Sequence, residues 1–388
     1  MESSRYAFRK AWMRAAARLF DAVGAGLAGL RQIRPPSASA APRRVLLLRL
    51  DHLGDGLFVG PALAALRAGL PDAELVLLCG PWGPALFGRD APVNAVEVRE
   101  VPWFARPRRR GGVRAWLEIL RWIRRQRFDA AIDFRGDIRH LAWLALARIP
   151  VRLGYARTGG GFWLTHRVPY RDAHEVERNL DLVGALTPQA VAGPLLPVSV
   201  DTEARRAADA LLAEAGSSAD RPAVIFHLTA GYPSKCWEPE SLAQAIDLVH
   251  ESGLGPILVI GTAAEAPVIG AIVARARHAP SVLAGRTTLP QLVALLGRAR
   301  GFVGHDSGPA HLAVAVGVPC VLLYSGVNAL RSWGPWGGRT QVLHRDVECS
   351  PCGLAVCNRN HECMRDIAPE AVVAALRRLV DGRSGSPP

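Results

Sequence analysis

Several features that would assign this chain to a common protein class are missing from its sequence. No apolar run is long enough to span a membrane, and the N-terminus lacks the apolar core and cleavage site of a signal peptide. There is no phosphate-binding loop with its lysine, and no G-x-G-x-x-G motif follows the first predicted strand. No Asp-x-Asp pair is present to hold Mg²⁺ on a diphosphate. These absences weigh against an NTPase, a dehydrogenase and a secreted protein, and we expect a cytoplasmic location.

Lysine is scarce, although the chain is strongly basic. Among 388 residues, Lys and Arg together number 47 against 34 Asp and Glu, a net charge of +13, yet Lys10 and Lys235 are the only lysines. Such a surplus implies an anionic partner: nucleic acid, a membrane surface or a phosphorylated substrate. No recognised nucleic-acid-binding module accompanies the charge, so we expect no nucleic-acid partner. A lone lysine in the second half is therefore a candidate for a specific role.

The cysteines are too few and too unevenly spaced for a secreted disulfide scaffold. Three of the seven are isolated in the sequence, and the other four cluster with the spacing C-x₂-C-x₄-C-x₅-C. Four thiolates within 15 residues can close a tetrahedral site for structural zinc or iron. Reduced cysteines packed in a loop, or a loop closed by disulfides, are the alternatives. The clustered residues are Cys349, Cys352, Cys357 and Cys363.

Apolar runs typical of buried parallel strands alternate with helical patterns over most of the chain. This alternation predicts an α/β fold of two Rossmann-like, doubly wound parallel-sheet domains facing a cleft, the usual place for a ligand. The predicted boundaries are a basic helix with its linker (1–42), a first domain (43–190), a second domain containing the cysteine cluster (198–365) and a C-terminal helix and tail (366–388).

The first predicted helix, residues 5–33, is amphipathic and basic. Its arginines and Lys10 lie off an apolar stripe, so the helix can either lie on an anionic membrane face or pack on the protein or a second subunit. The stripe consists of Phe8, Trp12, Leu19, Val23, Leu27 and Leu30.

The stretch GFVGHDSGPAHLAVAVGVP, residues 301–319, has the composition of a phosphate site. A short apolar strand leads into a helix that Asp306 or Ser307 can cap, with Pro309 in its first turn. The backbone N–H groups of Ser307 and Gly308 would then lie at a helix start whose dipole favours an anion. A well-capped structural helix would have the same sequence.

Three further polar residues follow predicted strands. Asp55, between two glycines in the predicted loop before a helix near 59–69, is a candidate general base, although a helix cap is the alternative. Lys235 can neutralise a phosphate as a point charge, or be an ordinary surface lysine. Glu265 can accept hydrogen bonds from sugar hydroxyls, or complement the charge of a helix start.

Four segments together resemble glycosyltransferase family 9, the heptosyltransferase family of lipopolysaccharide core synthesis. They are VLLLRLDHLGDGLFVGPALAALR, FDAAIDFRGDIRHLAWL with RLGY and HEVERNLDLV, HLTAGYPSKCWEPE with VIGTAAE, and GHDSGPAHLAVAVGVPCVLLYSG; the tail CSPCGLAVCNRNHECMRDIAPEAV is also similar. The resemblance implies a GT-B architecture with the nucleotide sugar held mainly by the second domain. It also implies inversion at the anomeric carbon without a catalytic metal.

The same resemblance assigns roles to residues. Asp55 would deprotonate the acceptor hydroxyl, and Lys235 would stabilise the departing diphosphate. The remaining donor-side residues would be Thr229 on the diphosphate, Glu265 on the ribose, Asp306 on the donor sugar, Ser307 and Gly308 on phosphate and His311 beside them; Gly54 and Arg135 would lie on the acceptor side. The stretches 51–53 and 58–61 depart from the family pattern, and both lie on the acceptor side.

The resemblance therefore implies transfer of heptose from ADP-heptose to a lipopolysaccharide-core or related glycan or lipid acceptor, with no cofactor needed for catalysis. A peripheral position on the inner face of the cytoplasmic membrane would bring such an enzyme to a lipid-linked acceptor. The alternatives are another GT-B nucleotide-sugar enzyme (a different donor, an epimerase or a protein glycosyltransferase), or a non-catalytic nucleotide-sugar-binding protein.

Overall fold

The computed structural model describes residues 8, 10–30, 41–88, 90–104, 112–188, 193–198 and 200–382, without the side chains of 27–30. Most of the predicted linker at 35–42 lies outside these residues. The chain divides into two compact units, Met1–Leu196 and Pro197–Pro388.

Each unit contains a six-stranded sheet in which all neighbouring strands are parallel. The first unit has β1 Arg44–Arg49, β2 Glu74–Cys79, β3 Ala95–Val98, β4 Ala130–Asp133, β5 Val151–Gly154 and β6 His166–Arg167. The second has β7 Val224–His227, β8 Ile257–Ile260, β9 Ser281–Val282, β10 Gly301–His305, β11 Cys320–Tyr324 and β12 Thr340–His344.

Helices connect these strands. The first unit has α1 Ala11–Leu30, α2 Leu53–Gly69, α3 Gly83–Leu86, α4 Gly112–Gln126, α5 Ile138–Leu146, α6 Glu175–Gly184 and a 3-10 turn at Gly161–Trp163. The second has α7 Thr202–Glu214, a 3-10 turn at Pro233–Lys235, α8 Pro239–Glu251, α9 Ala266–Val273, α10 Leu289–Leu296, α11 Gly308–Val316, α12 Leu330–Trp333, α13 Glu362–Arg365 and α14 Pro369–Val380. Over the described ranges, no helix combines the length and apolarity needed to cross a membrane.

The two sheets have the same topology, which confirms the predicted fold class. The strand order is β3-β2-β1-β4-β5-β6 in the first and β12-β11-β10-β7-β8-β9 in the second. In each sheet the order reverses direction between the first and fourth strands of the unit. In sheets of this kind, ligands bind beyond the carboxyl ends of the strands at that reversal. Residues following β1 and β4, and those following β7 and β10, are therefore the ones positioned for chemistry.

The central strands form because their sequences are continuously apolar. In β1, residues 45–48 are Val-Leu-Leu-Leu and are fully buried, as expected for a strand covered by helices on both faces. Each such leucine contributes about 1.5–3 kcal/mol through burial. The Arg49 side chain at the end of this strand is also almost fully buried, at 1% exposure, so its charge requires partners.

Helix α1 packs on the first unit through a face other than its apolar stripe. Gly24 is small enough to let the Phe162 ring approach, and Phe20 contacts the same ring with centroids 5.3 Å apart. The Asp21 carboxylate accepts a hydrogen bond of 2.6 Å from the Gly160 backbone N–H. Three side chains of the stripe are left in solvent: Trp12 is 66%, Leu19 68% and Val23 57% exposed.

Candidate active site

In the first unit, the end of β1 brings several charged side chains together around one buried arginine. The Arg49 guanidinium lies 2.9 Å from an Asp51 carboxylate oxygen, 2.9 Å from Asp55 and 3.1 Å from Glu175. Arg135, which follows β4, contacts the other oxygen of Asp51 at 2.6 Å. Three carboxylates therefore share the charge of Arg49. Asp51 has a second arginine in Arg135, and Glu175 has one in Arg178 at 2.8 Å, whereas Asp55 shares Arg49 with both of them.

This unequal sharing moves the pKa values of the two aspartates in opposite directions. Burial, followed by repulsion from the Asp51 carboxylate, raises the pKa of Asp55 to about 7, although Arg49 opposes the shift. The pKa of Asp51 is lowered despite its burial, because Arg49 and Arg135 both stabilise the charged form. The charged form of Asp51 is thus favoured, whereas Asp55 exchanges a proton near neutral pH, as suits a general base.

The prediction that Asp55 lies in a loop is wrong, because α2 begins at Leu53. Gly54 and Asp55 occupy its first turn, and an Asp55 oxygen accepts a 3.3 Å hydrogen bond from the His52 backbone N–H. The carboxylate therefore helps to cap the helix and also pairs with Arg49.

A tryptophan shapes the space beside Asp55. A side chain at Gly56 would overlap the Trp82 ring, and the Trp82 indole donates a 3.1 Å hydrogen bond to the Asp51 carbonyl oxygen. Trp82 is 8% exposed, so this ring covers the first turn of α2 and restricts water there. Restricting water increases the cost of charging the Asp55 carboxyl.

In the second unit, residues after β7 and β10 bring the lysine to the aspartate. The Lys235 ammonium lies 2.6 Å from an Asp306 carboxylate oxygen, which also accepts a 2.8 Å hydrogen bond from the Asn328 amide. The His311 ring lies 3.6 Å from the other oxygen. Burial of Asp306 opposes its ionisation, but His311 and Lys235 lower its pKa to about 2. The ion pair therefore holds Lys235 next to the start of α11.

A second set of hydrogen bonds joins the ends of three strands. The Thr229 hydroxyl donates to Glu265 and lies 3.2 Å from a nitrogen of His227, whose other nitrogen lies 3.2 Å from the Ser307 hydroxyl. Glu265 also accepts from the backbone N–H and hydroxyl of Thr262, at 2.7 Å each. Hydrogen bonding with His227 holds the pKa of Glu265 below its usual range. Burial opposes this shift, and the hydrogen bond from Thr229 adds to it. Glu265 is accordingly an anion at the end of β8.

Helix α11 begins at the residues that the sequence predicted, but the Ser307 side chain does not make the predicted capping hydrogen bond. Ser307 is the N-cap in extended conformation, Gly308 is the first helical residue and Pro309 lies in the first turn. The Ser307 hydroxyl does not cap the helix but contacts His227. Gly317, at φ 87°, ends the helix in the left-handed conformation that glycine adopts without strain.

The four clustered cysteines lie between β12 and the middle of α13, around a cavity of about 710 Å³ that Cys349, Cys357 and Cys363 line together with His361. All seven cysteines are free thiols. Burial raises the pKa of Cys363, although a hydrogen bond with the Gly326 backbone opposes the shift. In the part of the chain that the structure describes, however, no three His, Cys, Asp or Glu side chains are arranged to hold a metal. The metal site stays a prediction.

Four residues that sequence reasoning missed hold these sites together: Arg49, Glu175, His227 and Asn328. A charged residue at the end of an otherwise apolar strand was an available signal for Arg49. Glu175 and Asn328 lie 126 and 22 residues from the side chains that they contact, and no local pattern connects them.

Comparison with known proteins agrees with this geometry. The sequence profile of glycosyltransferase family 9 (heptosyltransferase) matches residues 116–362. Lipopolysaccharide heptosyltransferase 3 of Escherichia coli is 26% identical over 342 residues, which cover 84% of this chain and 96% of that protein.

Two solved structures have the same fold. The family 9 glycosyl transferase of Veillonella parvula superposes with a TM-score of 0.78 at 20% identity, over 88% of this chain and 98% of that one. The E. coli ADP-heptose lipopolysaccharide heptosyltransferase II gives 0.69 at 21% identity, over 88% and 100%. These likenesses confirm the predicted GT-B architecture, and the profile match makes the chain an enzyme of known type: it belongs to glycosyltransferase family 9, the heptosyltransferase family.

Proposed function

We propose that this enzyme transfers heptose from ADP-heptose to a lipopolysaccharide-core or related glycolipid acceptor, with inversion and without a catalytic metal. The observation that carries the proposal is Asp55, a carboxyl with a pKa of about 7 beyond the carboxyl end of β1. A protein that only bound nucleotide sugars would have no need of a proton acceptor tuned to neutral pH.

In the proposed step, the Asp55 carboxylate takes the proton of an acceptor hydroxyl. The acceptor oxygen attacks the anomeric carbon of the donor from the face opposite the diphosphate. The bond between that carbon and the diphosphate oxygen breaks, and ADP leaves with the electron pair. One attack on the opposite face inverts the configuration, and general base catalysis of this type contributes about 10²–10⁴-fold to the rate.

Charge developing on the departing diphosphate would be stabilised by Lys235 and the start of α11. The Lys235 ammonium is already held by Asp306 at 2.6 Å, so it does not have to be ordered when the donor binds. A phosphate oxygen would share this ammonium with Asp306. Glu265 accepts three hydrogen bonds from threonines, which orient its carboxylate at the end of β8 for the proposed contact with a ribose hydroxyl.

The proposal is tested by measuring ADP release and the mass of the product with ADP-heptose and a heptose-accepting core glycolipid. Asp55→Ala should abolish transfer while leaving the dissociation constant for ADP nearly unchanged. Asp72→Ala, at an exposed position, serves as the matched control and should retain full activity. Normal turnover by a folded Asp55→Ala variant would refute the base assignment. ADP release at full rate without acceptor would instead indicate a hydrolase or an epimerase.

We also propose that the enzyme binds the inner, cytoplasmic face of an anionic membrane, with α1 lying on the membrane surface. Three side chains of the apolar stripe of α1 are exposed, and the cations Lys10, Arg14 and Arg18 lie off that stripe. Asp21, the only acidic residue of the helix, is buried and hydrogen-bonded. A basic helix with an exposed apolar stripe matches a surface of acyl chains and anionic headgroups. A membrane-bound acceptor would then be at high local concentration.

Sedimentation with vesicles tests this surface. The intact chain should bind vesicles that contain phosphatidylglycerol more strongly than vesicles of phosphatidylcholine alone. Trp12→Ser combined with Leu19→Ser should reduce that binding, because each exposed apolar side chain contributes through burial in the interface. Val268→Ser removes a comparably exposed side chain of the second unit, 56% exposed, and should leave binding unchanged. Equal binding by all three proteins would refute the proposal.

A structural metal at the cysteine cluster is kept as a separate proposal. It is supported by four free cysteines within 15 residues, together with the C-x₂-C spacing of Cys349 and Cys352. Elemental analysis of protein purified without chelator tests it. About one zinc or iron per chain would support the site, whereas folded, active protein without either metal would refute it.

A further inference from the structure

The turn that carries Lys235 is held by the cysteine-rich segment, which we define as residues 349–363. Ser234, the residue before the lysine, is 4% exposed, and all its polar groups are engaged by this segment. Its backbone N–H donates to the Ala355 carbonyl at 3.2 Å, and its hydroxyl donates to the Leu354 carbonyl. Its own carbonyl contacts the His361 ring at 3.0 Å. A segment more than a hundred residues away therefore fixes the position of Ser234.

His361 connects both sides of the lysine. One ring nitrogen contacts the Ser234 carbonyl, and the other lies 3.1 Å from the carboxylate of Glu238, the residue that precedes α8. Both ring nitrogens of His361 are therefore engaged, one by each of these two residues. The stretch between Ser234 and Glu238 contains Lys235, so this one ring fixes both of its ends.

A second histidine holds the same stretch from the other side. The Trp237 backbone N–H donates a 2.9 Å hydrogen bond to the His305 ring, which is fully buried at the end of β10. Burial, followed by the neighbouring His227, lowers the pKa of His305 to about 3, so its ring is neutral and can accept this bond. The lysine turn is thus held between a strand of the sheet and the cysteine-rich segment.

We propose that His361 is a positioning residue for Lys235, and that the cysteine-rich segment serves the reaction by fixing the lysine turn. The inference rests on the proposed function, in which Lys235 stabilises the departing diphosphate. His361 itself contacts no substrate in this scheme. It acts because a lysine displaced by about 1 Å loses much of its effect on the transition state, and such a displacement can cost about 10²-fold in rate.

A double-mutant cycle separates positioning from general structural support. Lys235→Ala should lower kcat by about 10²–10³-fold, as loss of one charge-stabilising donor does. His361→Ala should lower kcat by about 10–10²-fold with a smaller change in the donor KM. In the Lys235→Ala background, His361→Ala should cost less than about threefold more, because the group that it positions is gone. His344→Ala, an exposed histidine of the same unit, should leave the kinetics unchanged.

His361→Asn guards against a folding defect, because residue 361 lies at φ 54° and asparagine tolerates this left-handed conformation. It should reproduce the kcat loss of His361→Ala with an unchanged Tm, since its shorter amide cannot bridge Ser234 and Glu238. Normal kcat in both folded His361 variants, or fully additive losses in the cycle, would refute the inference alone. An unaffected Lys235→Ala variant would instead refute the role of the lysine in the proposed function.

Discussion

Replacing Asp55 by asparagine should inactivate the enzyme and at the same time stabilise its first unit at alkaline pH. Asparagine has nearly the shape of aspartic acid but never carries a charge. In the parent protein, three carboxylates compete for Arg49, and the Asp55 side chain is only 12% exposed. Removing one of the three charges leaves Arg49 paired with Asp51 and Glu175, so the guanidinium is not left without a partner.

The size of the effect follows from the pKa of Asp55. A rise from 3.8 to about 7 means that ionising this group costs roughly 4 kcal/mol more in the folded than in the unfolded chain, at about 1.4 kcal/mol per pKa unit. The folded state binds the proton more tightly, so the cost is fully present above pH 7. It declines as the pH falls from 7 towards 3.8, and it is absent below 3.8. The stability gained by Asp55→Asn should follow this same window.

The assay is thermal unfolding of the parent and Asp55→Asn proteins between pH 5 and pH 9, with Asp72→Asn as the exposed control. A domain of this size gains about 2–4 °C in Tm per kcal/mol, so the variant should unfold several degrees higher at pH 8.5. The difference should shrink as the pH approaches 5, while transfer is lost throughout. A lower Tm for the variant at pH 8.5, or a difference independent of pH, would refute the electrostatic reasoning.

Three further outcomes are expected. For the parent enzyme, kcat/KM should rise with pH to a plateau above about pH 7, where Asp55 is ionised. Steady-state rates from pH 5.5 to 9 measure this, and a pH-independent kcat/KM between pH 6 and 8 would contradict it. Arg49→Met should destabilise the first unit by about 3–5 kcal/mol, because Asp51 and Glu175 lose their shared cation; an unchanged urea midpoint would contradict this. Glu265→Gln should weaken ADP binding about tenfold in calorimetry with a small change in kcat, and an unchanged dissociation constant would remove Glu265 from the nucleotide site.

The sheets were predictable from the sequence because each central strand is encoded by a short, continuous run of apolar residues. A run such as VLLLR buried on both faces has few alternatives to a central parallel strand, and the observed β1, β7 and β10 coincide with such runs. The residues expected to carry charge chemistry follow these strands. Lys235 was identified by its rarity and by its place after a predicted strand, and the structure pairs it with Asp306, 71 residues away.

The surroundings of Asp55 and the packing of α1 could not be predicted, because they depend on contacts between residues far apart in the sequence. Sequence reasoning placed Asp55 in a loop, but the helix begins before it, at Leu53, and a side chain at Gly56 would overlap the Trp82 ring. The apolar stripe of α1 was equally compatible with packing on the protein. The structure packs the opposite side instead, where Gly24 allows close approach to Phe162 and Asp21 finds a backbone donor.

The strand ends at the reversal of each sheet give opposite electrostatic results. Beyond β1, Asp55 shares the Arg49 cation with two other carboxylates, and its pKa rises to about 7. Beyond β10, a lysine, an amide and a histidine surround one carboxylate, and the pKa of Asp306 falls to about 2. The first arrangement makes a proton acceptor, and the second makes a fixed ion pair whose cation can also serve a phosphate. The fold supplies only the position, and the cations that each carboxylate contacts, and shares with its neighbours, set the direction of its pKa shift.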